Sequence, residues 1–78
     1  MKKILNFLKS KNTILEFKLT CPDKLIKLCQ SSGIKVDTET MEIDGWQYDW
    51  WINCEYNNKK LLLSGSGYYG NGRLEKLD

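Results

Sequence analysis

From Trp46 to Tyr56 the chain alternates. Its even positions, Trp46, Tyr48, Trp50, Ile52, Cys54 and Tyr56, are apolar or aromatic, and its odd positions, Gln47, Asp49, Asn53 and Glu55, are polar, with Trp51 the exception. A period of two is that of a strand with one buried face and one wet face. Trp51 therefore stands among carboxylates and amides on the wet side, where it adds nothing to a core, and this marks it as a candidate contact residue.

The same alternation predicts a strand over residues 14–21, with Leu15, Phe17, Leu19 and Cys21 against Glu16, Lys18 and Thr20. Ahead of it, Ile4, Leu5 and Leu8 fall at helical spacing with Phe7 beside them, which predicts a short amphipathic helix over residues 2–11; an opening strand is the competing reading. Thr20 and Asp23 have the spacing of a helix N-cap, Pro22 suits a first turn, and Leu25, Ile26, Leu28 and Cys29 form a stripe that ends at Gly33.

Asp44-Gly45 and Asn57-Asn58 are both suited to two-residue hairpin loops. They predict a meander of strands over 34–43, 46–56 and 59–66. The second loop sets Leu63 opposite Ile52 and Leu61 opposite Cys54, apolar against apolar. The first sets Ile43 opposite Trp46 and Met41 opposite Tyr48, but then turns Glu39 toward Trp50 and Asp37 toward Ile52, so a bulge near Thr38–Thr40 is expected. The predicted fold is a single α+β domain over residues 1–78. It has two layers in the order α-β-α-β-β-β, with a mostly antiparallel sheet packed against helix.

Composition narrows the partner more than the fold. Chains of this length bury only about 60% of their unfolded surface, so stability is marginal. The formal charge of +2 conceals a segregation. Residues 1–35 hold eight lysines against Glu16 and Asp23; residues 36–58 hold Asp37, Glu39, Glu42, Asp44, Asp49 and Glu55 with no Lys or Arg. Either these opposite charges meet on folding, or an acidic, aromatic face docks on a basic partner. No run has the length of a membrane span and no signal peptide is visible, which points to a cytoplasmic protein. The three cysteines match no zinc pattern and are expected to be reduced and mostly buried.

Catalytic chemistry finds little support. There is no histidine, and no spacing pairs a Ser or Cys nucleophile with a base, so no catalytic residue, metal ligand or cofactor is assigned. Gly65-Ser-Gly67-Tyr-Tyr-Gly70 matches a dinucleotide-binding glycine pattern, but only eight residues follow it, too few for the crossover helix and second strand that such a site needs. A structural role suffices, the glycines letting the last strand bend and pass close to a neighbouring backbone.

Tyr68-Tyr69-Gly70-Asn71-Gly72 resembles the signature pentapeptide of pediocin-like bacteriocins. In that family it opens the mature peptide ahead of a cysteine pattern, whereas here it closes the chain and no cysteine follows. A longer stretch, Asp49-Trp50-Trp51-Ile52-Asn53-Cys54, a turn, Leu61 to Leu63, Gly65-Ser-Gly67 and Leu74, is similar to the closing hairpin of small immunity proteins from bacterial polymorphic-toxin systems. The resemblance covers roughly residues 46–74 and implies a protein that binds and neutralises a toxin.

The expected function is thus a small protein-binding inhibitor, as a toxin immunity protein or a phage-encoded, anti-CRISPR-like inhibitor of a defence nuclease. The partner would present a basic surface. Its contacts are assigned to Asp37, Glu39, Glu42, Asp49 and Glu55 as charges and Trp51 as the desolvated anchor, while Tyr68 and Tyr69 either add contacts or pair across a homodimer edge. The alternatives are a nucleic-acid-binding module using the lysine-rich half, which is less favoured because the most aromatic strand is acidic, and a self-associating structural protein.

Overall fold

A computed structural model of the chain describes residues 2–45, 49–67 and 70–77. The predicted sites Tyr68 and Tyr69 lie outside the described residues, as do Trp46 and Tyr48. The elements run α1 (Lys2–Lys9), β1 (Ile14–Phe17), α2 (Pro22–Ser31), β2 (Lys35–Asp44), β3 (Asp49–Tyr56), β4 (Lys59–Ser66) and β5 (Asn71–Lys76). The five strands form one antiparallel sheet in the order β1-β5-β4-β3-β2, and the buried side chains of both helices share one core with its inner face. The fold is α+β, as the pattern predicts, with β5 as an additional strand. β5 joins the two halves of the chain, because β1 pairs only with it.

The inner face is built in cross-strand rows. Leu15, Leu74, Leu63 and Ile52 make the central row, and the last three are fully buried. Lys76, Leu61, Cys54 and Val36 make the row on one side of it, and Phe17, Gly72, Gly65, Trp50 and Ile43 the row on the other. Burying each large aliphatic side chain is worth about 1.5–3 kcal/mol. Ile4 and Phe7 of α1, and Leu25 and Cys29 of α2, close the core from the helical layer. Leu5 is exposed, so the α1 stripe runs Ile4–Phe7–Leu8.

Lys76 belongs to the inner face despite its charge. Its Nζ donates to the carbonyls of Phe7 at 2.9 Å and Ser10 at 2.7 Å and lies 4.6 Å from the centre of the Phe7 ring. It thereby joins the Ser10 N–H and hydroxyl at the Phe7 carbonyl, adds a donor at the Ser10 carbonyl, and ties the C-terminus of α1 to the last strand.

The row containing two glycines sets the register. An added Cβ at Gly65 would lie 2.5 Å from the Trp50 indole, and one at Gly72 would lie 2.6 Å from the Leu19 carbonyl oxygen. The indole therefore lies against Gly65, 4% exposed, and its Nε1 donates to the Thr20 carbonyl at 2.9 Å. This contact explains why β1 ends at Phe17 and not at Cys21: the chain leaves the sheet to pass over Gly72 and meet Trp50. Thr20 consequently does not cap α2. Cys21 is the N-cap residue, with no side-chain cap, and Pro22 opens the helix. At the other end the expected stop holds, Gly33 having φ +88° with Gly33 N–H bonded to Gln30 O and Ile34 N–H to Cys29 O.

The hairpin between β3 and β4 has the predicted register, with Asn57 and Asn58 at φ 49° and 63°. The hairpin between β2 and β3 does not. Asp44 pairs with Asp49 and Ile43 with Trp50, so the register is not the one a two-residue loop at Asp44-Gly45 would set. The reason is that Trp50, held against Gly65, takes the place opposite Ile43. The expected bulge is present: residues 38–41 lie between the pairs Asp37–Asn53 and Glu42–Trp51, and Glu39 does not face Trp50. Thr40 Oγ1 pins it, donating to Asp37 O at 2.7 Å and accepting from Asn53 N–H at 2.9 Å.

Gly65→Ala is expected to lower unfolding stability by roughly 1–3 kcal/mol through overpacking against Trp50. Gly45→Ala, where an added Cβ meets nothing within 4 Å, should change it by about 0.5 kcal/mol or less. Urea denaturation of the two variants beside the native chain measures both.

Candidate protein interface

Alternation that places Trp50, Ile52 and Cys54 inward sends Asp49, Trp51, Asn53 and Glu55 outward. Among the described residues no helix covers that outer face, both helices packing on the inner one. Trp51 is 36% exposed there, against 4% for Trp50. Its row runs Glu16, Arg73, Ser64, Trp51, Glu42 across β1, β5, β4, β3 and β2. The next row toward the β3–β4 turn runs Ile14, Glu75, Leu62, Asn53, Asp37. On the other side of Trp51, Asn71, Ser66, Asp49 and Asp44 line up.

The sheet brings most of the predicted acids together. Glu42 is directly opposite Trp51, Asp49 precedes it by two residues on the same face, and Asp37 and Glu39 sit at the pinned bulge of the neighbouring strand. The Glu39 N–H donates to Asp37 Oδ1 at 3.2 Å, which fixes the backbone between these two carboxylates. Glu55 stands apart. Its register partners are Lys35 on β2 and Lys60 on β4, so its charge is flanked by lysines on both sides. Of the other lysines of the first half, Lys11 and Lys18 are exposed in the segments flanking β1, while Lys3, Lys9, Lys24 and Lys27 are exposed on α1 and α2, in the opposite layer. The Trp51 end of the acidic face is therefore not neutralised by them.

Sequence reasoning did not include Ser64, Ser66, Asn71 and Arg73 in the site. With Asp49, Trp50, Trp51 and Gly65 they line a shallow cavity of about 290 Å³ on this face. The missing signal was β5, whose inward positions are Gly72, Leu74 and Lys76 and so carry one apolar side chain in three. A larger cavity, about 850 Å³, opens near Ile34, Val36, Cys54, Leu61 and Leu77 at the end of the sheet. Its apolar walls come from the edge of the core.

Among the described residues no group of His, Cys, Asp or Glu is arranged to hold a metal ion, and no helix is long and apolar enough to cross a membrane. The three cysteines are free, with Cys29 and Cys54 buried and Cys21 half-buried. Burial pushes the Cys29 thiol up to about 12 and the Cys54 thiol up to about 11 from an ordinary 9.0, so both stay protonated at neutral pH and neither is a nucleophile. No family model, characterised protein or solved structure matches the chain.

The raised thiols have a consequence with a definite sign. Above an ordinary thiol pKa of 9.0 the unfolded chain releases protons that the folded chain retains, so stability falls as pH rises from there toward 11 and 12. Urea midpoints at about pH 8 and about pH 10.5 should show the drop, and Cys54→Ala should show a smaller one.

Proposed function

We propose that this protein is a small inhibitor that binds a basic macromolecular partner through the uncovered face of its sheet. The observation that carries this reading is the arrangement of charge by layer: Trp51, half-open to solvent, is bordered by Glu42 and Asp49, with Asp37 and Glu39 at the bulge of the neighbouring strand, while the exposed lysines of α1 and α2 lie on the opposite side. A large aromatic with an acidic surround suits a partner that is positively charged and loses water at the centre of contact. Toxins and defence nucleases that act on nucleic acid have such surfaces, and carboxylates on a rigid strand can compete for the sites that phosphates occupy. The resemblance of residues 46–74 to small immunity proteins points the same way. On this reading the protein is a cytoplasmic immunity or anti-CRISPR-like protein, Glu55 contributes least of the predicted acids, and the site needs neither cofactor nor metal.

The test is capture of the partner from host lysate with and without nuclease treatment. A protein should remain bound after nuclease and be released between about 0.1 M and 1 M salt, as the screening length falls from about 10 Å to about 3 Å. The triple variant Asp37→Lys, Glu39→Lys, Glu42→Lys should lose it, and Trp51→Ala should weaken it by about 2 kcal/mol or more. Complete loss of bound material on nuclease treatment, together with loss of binding in Lys24→Glu and Lys27→Glu, would assign the function to nucleic-acid binding by the helical layer instead.

A further inference from the structure

The shallow cavity beside Trp51 is a trough along β4. Ser64 and Ser66 form its floor. Trp51 and Arg73 are the two register partners of Ser64, and Asp49 and Asn71 those of Ser66. The opposing walls are thus two strand spacings apart, about 10 Å between backbones, and the short serine side chains leave the space between them open. One wall is an indole beside a carboxylate, and the other is a guanidinium beside an amide.

Charge decides what such a trough accepts. On the Trp51 side, Asp49 lines the cavity while Glu42 and Asp44 are opposite Trp51 and Asp49 on the next strand. On the far side, Arg73 is opposite Glu16 of β1. Arg73 thus has one carboxylate, Glu16, as its register partner, and the wall across from it carries Asp49 with Glu42 and Asp44 one strand further out, a balance that disfavours a phosphate or a nucleotide. Asp49 adds a specific demand. Its Oδ1 is buried and has no hydrogen-bond partner among the described residues. With one oxygen buried and unbonded, the carboxylate is poorly compensated and depends on what reaches the part of the group that lines the cavity; a cation bringing several N–H donors there offsets that deficit.

We propose that this trough receives an arginine side chain of the protein partner, its guanidinium stacked on the Trp51 indole and its N–H groups directed to the Asp49 carboxylate, with the serine hydroxyls as further acceptors. The proposal rests on the reading of this face as a protein-docking surface and names the chemistry at its centre. Arginine fits better than lysine for two reasons. A planar, weakly hydrated guanidinium stacks on an indole face, and its fork of donors matches a carboxylate.

The probe is the blocked tripeptide acetyl-Gly-Arg-Gly-amide, titrated into isotope-labelled protein and followed by the indole and backbone N–H signals. Peptides with lysine or citrulline in place of arginine are the controls. The arginine peptide should move the Trp51 indole N–H and the Ser64 and Ser66 amides, and leave the Trp50 indole N–H, bonded to Thr20, in place. Its affinity should exceed that of the lysine peptide by roughly threefold to fivefold and be lowered at least as much by Asp49→Asn. Trp51→Ala should abolish the response. The Trp50 indole signal and a melting curve report whether each variant is folded, and Ser64→Val, which fills the trough from a strand-compatible position, is the alternative should Trp51→Ala not fold.

Equal response to citrulline, unchanged affinity in Asp49→Asn, or no arginine-dependent shift up to about 20 mM would overturn the proposal. The last result combined with retained partner capture would leave the docking face standing and remove only its arginine site. Loss of partner capture with an intact peptide response would do the reverse.

Discussion

The packing of the Trp50 indole against Gly65 governs both layers of this protein. The indole takes the room that a side chain on β4 would fill, and its one polar atom is satisfied by the Thr20 carbonyl. That single placement fixes several things together. It draws the chain after β1 across Gly72 and into α2. It sets Ile43, and not Asp37 or Glu39, opposite the tryptophan. Through the period of two, it also fixes Trp51, Asp49, Ser64 and Ser66 on the far side of the sheet. The inner and outer faces cannot be altered independently, because a one-residue slip of β3 would exchange the two tryptophans and expose the core.

Much of this was legible from local pattern because the relevant forces are local. The Asn57-Asn58 turn dictates its own hairpin, Gly33 its own helix stop, and the alternation from Trp50 to Tyr56 its own two faces. The bulge in β2 was legible by contradiction, since straight pairing would have driven Glu39 into the core. What escaped was non-local. β5 has too few apolar residues to announce itself, and the inward positions on either side of Leu74, Gly72 and Lys76, are small or charged because they receive the chain at Leu19 and the C-terminus of α1. The Asp44-Gly45 turn was overruled by a contact between Trp50 and Gly65, fifteen residues apart in sequence. In the site, the acids and Trp51 could be placed by parity alone. Ser64, Ser66 and Arg73 could not be joined to them without the register of β5.

The distribution of charge follows from the same topology. The lysine-rich half of the chain supplies both helices, and the acidic half supplies β2 and β3 at one side of the sheet. A protein with one basic layer and one acidic, aromatic face has a directional field, which orients it toward an approaching partner before contact. Lys35 and Lys60 around Glu55 limit the negative region to the part of the face that contains Trp51. The same topology therefore defines where the acidic region ends.

The pinned bulge in β2 has another consequence, at the border of the sheet. An uninterrupted outer strand is an open row of N–H and C=O groups on which a foreign strand can grow. Here one border is interrupted by residues 38–41, where the Glu39 N–H is taken up by the Asp37 carboxylate, and the opposite border, β1, is four residues long. Neither border is both long and uninterrupted. The bulge thus limits how far a foreign strand could extend along β2.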